Sequence, residues 1–173
     1  MKVNNSSPSR NLKPLIIGFG IMSLLSIAGI IFLRQNMAMH QRQAEVALVG
    51  SQIMPFDLEA TTHEFKPLPN GGLQTVTADS PTDSQQIELI QSHLEEESAK
   101  FQNGDFSDPA KIHGKDMPGL ASLQSGFSNV DVQYTPLANG GQIRYTAQKS
   151  GLISALHEWF AAQRSDHGHH AAD

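Results

Sequence analysis

Eight histidines in a chain without a single cysteine are the residues most able to do chemistry here. His40, His63, His93, His113, His157, His167, His169 and His170 carry neutral imidazoles that bind zinc, copper, nickel or iron, and their charge ordinarily changes between about pH 5 and 8. The lack of cysteine excludes thiolate zinc sites, iron–sulfur clusters, disulfide scaffolds and cysteine nucleophiles. Any metal would have to be held by imidazole, carboxylate or thioether. His93 stands three and four positions before Glu96 and Glu97, which on a helix puts a nitrogen and carboxylates on one face. His113 precedes Asp116 and Met117 in a stretch bounded by Gly114 and Gly119. Asp166-His167-Gly168-His169-His170 is a short His-rich tract, a composition that binds metals. The candidate metal set is His93, His113 and His157 as nitrogen donors, Met117 as a soft donor and His167 at the periphery. Copper suits a thioether beside imidazoles, with zinc the second choice.

No catalytic template accompanies them. HExxH, GxSxG, GxGxxG and GxxxxGK(S/T) are all absent, and no two histidines stand four apart on a predicted helix. Glu95-Glu96-Glu97 reads as a solvated helical face, and Trp159-Phe160 as core. The chain assigns no catalytic residues and reads as a binding protein. With 17% charged residues and a net charge of −5 it has no basic stripe, which excludes nucleic acid as a partner.

The elements that must position these side chains come from a sequence that occurs twice. Phe65-Lys66-Pro67-Leu68-Pro69-Asn70-Gly71-Gly72 aligns with Tyr134-Thr135-Pro136-Leu137-Ala138-Asn139-Gly140-Gly141. Thr77-Ala78 and Thr146-Ala147 close the two copies. Asn-Gly-Gly between β-rich flanks predicts a hairpin, because those residues accept the positive φ of tight turns. A helix follows each hairpin. In the first copy Ser80-Pro81-Thr82-Asp83 predicts the start, Ile87, Ile90, Leu94 and Phe101 form an apolar stripe, and Gly104 is the stop. In the second, Ser150 predicts the cap, Ile153, Leu156, Trp159 and Phe160 the buried side, and Gly168 lies beyond the end. The predicted fold is α+β: a duplicated ββα unit over 61–165, with four antiparallel strands and two helices on one face. Aligning the helices places His93 opposite His157, so that the two halves bring two imidazoles toward one pocket. The segment 104–126 between the copies predicts short helical turns at Asp108-Pro109 and Pro118-Gly119 in an otherwise irregular connection.

Ahead of this lies a membrane anchor. Leu15 to Leu33 is an uncharged run without proline, and nineteen residues at about 1.5 Å each approach the ~30 Å hydrocarbon core. A cleaved signal peptide would have a shorter apolar run, about 7–15 residues, and a small-x-small site, which Arg34-Gln35-Asn36-Met37-Ala38-Met39 lacks. Lys2, Arg10 and Lys13 precede the span, which predicts a cytoplasmic terminus over 1–14. Four of the twelve basic residues lie before Gln35, leaving eight against all seventeen acids in the rest of the chain. Such an acidic domain is repelled by an anionic inner leaflet, so it is expected on the periplasmic side of a single-pass inner membrane protein. Residues 34–60 are expected to form a linker or stalk with Pro55 ending any helix, and 166–173 a His-rich tail.

Gly104-Asp105-Phe106-Ser107-Asp108-Pro109-Ala110, Ile112-His113-Gly114, Asp116-Met117-Pro118-Gly119-Leu120 and His157-Glu158-Trp159-Phe160 with Asp166-His167-Gly168 resemble a family of small uncharacterised bacterial proteins. The likeness covers roughly Thr61 to Ala171. Some members carry the label aspartate carbamoyltransferase, but the Ser-Thr-Arg-Thr phosphate loop and His-Pro-x-Gln motif of that enzyme do not occur in this chain. The resemblance directs attention to His113, Met117, His157 and His167 and implies no established activity. The expected function is a membrane-anchored, extracytoplasmic, non-enzymatic domain that binds a transition metal or small ligand through histidines. A membrane-tethered module that assembles with another envelope protein is the alternative, and a small enzyme the third.

Overall fold

The computed structural model describes residues 13–168 and 171–172, with side chains from Ile27 onward except that of Ala172. Residues 1–12 of the expected cytoplasmic terminus, the side chains of the anchor before Ile27, and His169, His170 and Asp173 of the tail lie outside the described residues. Two compact units divide at His40 and Gln41. The helix α1 (Lys13–Ile53) runs from the first into the second, and its part in the first exposes Ile27, Ile30, Ile31, Phe32 and Leu33. Among the described residues no helix is long and apolar enough to cross a membrane.

The second unit is α+β. Its elements are β1 (Thr61–Leu68), β2 (Gly71–Ala78), α2 (Ser84–Gln102), α3 (Ser107–His113), α4 (Leu120–Gly126), β3 (Val130–Leu137), β4 (Gly140–Ala147), α5 (Ser150–His167) and the two-residue β5 (Ala171–Ala172). The four long strands form an antiparallel sheet in the order β3-β4-β2-β1, with β5 added parallel to β1. The hairpins turn at the two Asn-Gly sequences, and β2 pairs with β4 at the centre. Gln74 lies opposite Ile143 there. Those two are aligned positions of the repeat, so a pseudo-twofold axis passes between them. Ala78 donates to the Asn139 carbonyl and Ala147 to the Asn70 carbonyl, each at 2.9 Å, so each turn closes the other copy's strand.

Two glycines make this close pairing possible. A Cβ at Gly71 would collide with the Tyr145 carbonyl, and one at Gly140 with the Val76 carbonyl. α2 and α5 pack on one face of the sheet, each against the opposite copy. Leu94 of α2 reaches Gly141, and Phe160 of α5 reaches Gly72. The expected apolar stripes form the core: Ile90, Leu156, Trp159 and Phe160 are fully buried, with Leu94 and Phe101 nearly so. Burying each such side chain stabilises the fold by roughly 1.5–3 kcal/mol.

Three expectations need adjustment. α2 starts at Ser84, not beside Pro81, because the Asp83 carboxylate accepts from the Gln86 amide at 3.1 Å and outcompetes Ser80 as the cap. The stretch expected as a linker is not one throughout. From Gln41 it belongs to the compact unit, and Val46, Phe56 and Leu58 are buried in it. Finally, Gln91, not His93, is the counterpart of His157. Six positions separate Ala78 from Ser84 and three separate Ala147 from Ser150, so the helices align Ser84 with Ser150, Gln91 with His157 and Leu94 with Phe160.

Candidate functional site

His113 closes α3 with its side chain buried, and two charged groups hold it. Its Nδ1 lies 2.9 Å from Asp166 Oδ2 near the end of α5. Arg42 of α1 grips the same carboxylate through Nε at 3.1 Å and Nη2 at 2.7 Å, and also donates to the His113 carbonyl. Burial opposes charge on Asp166, but the hydrogen bonds from His113 and Arg42 outweigh it and hold the carboxyl at about 2. An ionised carboxylate can only accept, so His113 Nδ1 donates to it, which fixes the orientation of the ring.

His113 lines a cavity of ≈ 40 Å³ together with His63, His93 and His167. The four rings come from β1, α2, α3 and the end of α5. His63 and His167 stack at 4.8 Å, and His113 lies 5.2 Å from His167. His93 meets Phe56 edge-on at 5.6 Å. Burial, and then the positive charge of Lys100, lower the His93 pKa and disfavour the charged ring. Trp159 and Gln163 also line the cavity, and their Nε1 and Oε1 atoms are buried with no hydrogen-bond partner, which is costly.

Charge gathers on the α2–α3 side of the cavity. Lys100 Nζ bridges Glu97 at 2.9 Å, Asp108 at 2.8 Å and Glu96 at 3.0 Å. Burial pushes the Glu97 carboxyl up to about 7 against the opposing pull of Lys100. Asp108 goes the other way, because bonds from Lys100 and Lys111 overcome its own desolvation. Two carboxyls on one cavity wall are thereby driven apart in acidity.

The pseudo-twofold axis shows what packing alone would have placed here. His63 of β1 corresponds to Val132 of β3, and His167 of α5 to Phe101 of α2, both buried core residues. His93 corresponds to Trp159, and Glu97 to Gln163. Imidazoles thus stand at three positions whose counterparts across the axis are Val132, Phe101 and Trp159.

Of the sequence candidates, His93, His113 and His167 line this cavity. His157 does not; its Nε2 contacts the carbonyls of Leu68 at 2.9 Å and Gly71 at 3.0 Å, clasping the first hairpin turn. Gln91 does the same for the second hairpin, with Nε2 donating to Leu137 at 2.9 Å. The expected approach of His93 to His157 therefore gives way to the stacking of His63 on His167. Met117 is packed in the hydrophobic core away from the cavity wall. Among the described residues no three His, Asp or Glu side chains are placed to hold one metal ion. Sequence reasoning passed over His63, Arg42, Asp166 and Gln163 as site residues. His63 had a visible signal, since the repeat alignment sets it against Val132.

No family model, curated protein or solved structure matches the chain.

Proposed function

We propose that this protein is a membrane-anchored, extracytoplasmic domain that binds a small polar ligand in the cavity between its sheet and helices. The duplicated ββα scaffold supplies rigidity, and the histidines supply recognition. The observation that carries this reading is His113, fixed at Nδ1 by Asp166 so that its other nitrogen is left for the cavity, beside unpartnered Trp159 and Gln163. Anchoring rests on the uncharged run Leu15–Leu33, and the extracytoplasmic side on the basic residues before it and the acidic domain after it.

A transition metal, copper or zinc, is the second reading. It is favoured by the 4.8 and 5.2 Å spacings of the His63, His167 and His113 rings and by the carboxylate behind His113, the usual partner of a metal-ligating imidazole. It would require those rings to turn toward a common point.

Titrating the detergent-solubilised full chain with Zn²⁺, Cu²⁺ and small polar organic probes, while following the imidazole ring signals, tests both. Saturable shifts at His63, His113 and His167 with an organic probe support the first reading. Micromolar metal affinity lost in His113→Ala supports the second. Ring signals indifferent to every probe would overturn both. Separately, the full chain should sediment with membranes and resist extraction by high salt. Protein released by salt alone would refute the anchor.

A further inference from the structure

The cavity of ≈ 40 Å³ has room for about three water molecules, and every residue that lines it is buried or half-buried. An organic ligand therefore enters only when part of the wall moves. Most of the wall is fixed, because Phe65, Val76, Leu94, Phe101 and Trp159 belong to the continuous hydrocarbon core of the sheet, α2 and α5. α3 differs. Its four buried residues, Asp108, Pro109, Ile112 and His113, all line the cavity, and even Ile112 stands outside that core. Core side chains bound the segment on either side: Phe106, stacked on Phe101 at 4.9 Å, and Met117. We propose that residues 107–116 form a lid over the cavity, swinging between those two anchors so that His113 leaves the wall. This rests on the ligand-binding reading above and adds how that site is opened.

Polar latches hold the lid where a packed apolar face would otherwise do so. Asp108 binds Lys100 of α2 at 2.8 Å. At the far end Asp166 of α5 binds His113 Nδ1 at 2.9 Å, and Arg42 donates to the His113 carbonyl. Lys100 and Arg42 both reach solvent, and such part-exposed pairs open far more readily than buried hydrocarbon. Gly114 follows at once with a φ of 88° and open space where a side chain would stand, so the backbone can turn there without collision. His113 also lines an open cleft of ≈ 540 Å³ together with Arg42, Lys115 and Ser165. The same residue thus stands between cleft and cavity, and lifting it joins the two.

Hydrogen exchange on the full chain in detergent, with no probe added, reads the opening directly. The amides of residues 110–113 should exchange roughly a hundredfold faster than the buried amides of α2, α5 and the central strands. Lys100→Met removes one latch from outside the lid and should speed exchange at 110–113 about five- to tenfold, leaving the core amides unchanged. Acrylamide should also quench Trp159, the only tryptophan and a residue of the cavity wall, more strongly in that variant than in the wild type. Asp108→Asn breaks the same latch from the lid side should the methionine variant not fold. Wild-type amides of 110–113 that exchange in step with α2 and α5 would show a fixed wall and overturn the lid. A folded variant that speeds every element equally would overturn it too. An organic probe that binds while 110–113 stay fully protected would overturn the lid and leave the ligand-binding reading standing. A lid that opens while no probe binds would do the reverse.

Discussion

His63 and His167 stack at 4.8 Å across the β1–α5 contact, where the other half of the same fold places Val132 and Phe101. A duplicated scaffold provides its own control. Hydrocarbon fills the equivalent contact across the axis, so the architecture accepts a position of this kind without imidazoles. Replacing the pair with its counterparts, as His63→Val with His167→Phe, should leave a folded protein, since the architecture already accepts hydrocarbon at the equivalent contact. The same variant should lose all probe response in the cavity. Urea unfolding measures the first outcome and ring-signal titration the second; a double variant that fails to fold would show the histidines to be structural.

Asp166→Asn should loosen the end of α3. The carboxylate joins Arg42 to His113, and an amide can satisfy only part of that pattern. A loss of about 1–3 kcal/mol is expected. The carboxyl is lowered from 3.8 to about 2 in the fold, so its contribution is present above pH 3.8 and vanishes as pH falls through about 2. Acid unfolding of the wild type should therefore be steeper below pH 4 than that of the variant. Superimposable acid titrations would contradict this.

Glu97 should make the protein weaken toward alkaline pH. Its carboxyl is raised from 4.5 to about 7, so stability is complete below pH 4.5 and lost as pH rises through about 7. On the order of 2–3 kcal/mol should disappear between pH 5 and pH 8.5. Glu97→Gln should flatten that slope while leaving Lys100 bound to Asp108. Denaturant midpoints across this range decide it, and an equal slope in both proteins would count against the assignment.

Gly140→Ala should be severely destabilising, although alanine is the mildest of side chains. The added carbon meets the Val76 carbonyl in the neighbouring strand, and Gly71→Ala meets the Tyr145 carbonyl in the same way. Backbone cannot step aside without breaking the central β2–β4 pairing, so each change should cost several kcal/mol, about 3 or more. Thermal melting within a few degrees of wild type would refute the close approach.

His157→Ala should behave as a structural change. It removes contacts to the Leu68 and Gly71 carbonyls and should cost about 1–2 kcal/mol, much as Gln91→Ala should at the other hairpin. Binding of any cavity probe should be unchanged. A lost probe response in folded His157→Ala protein would restore His157 to the site.

The hairpins, the helix stripes and the order of elements were legible along the chain because their causes are local. Asn-Gly-Gly marks both hairpins, although the turns at Asn70 and Asn139 need no positive φ and Gly71 and Gly140 instead permit the close β2–β4 approach, and apolar residues recurring every three or four positions bury one side of a helix. Both cues act over fewer than ten residues. The cavity was only half legible. His93 and His113 stood out by their neighbours, but His63 gained meaning only from the strand that pairs beside it and the helix end that folds over it. The error over His157 has the same origin: pairing it with His93 allows for a shorter second loop but shifts the helix by five residues where the loops differ by three, and only contacts such as Leu94 on Gly141 and Phe160 on Gly72 reveal the alignment. Residue types and local periodicity thus determined the parts and their sequence. Which imidazoles share a wall depended on long-range strand register and on the Arg42–Asp166 bond between residues far apart in the chain, and such proximity is created by packing alone.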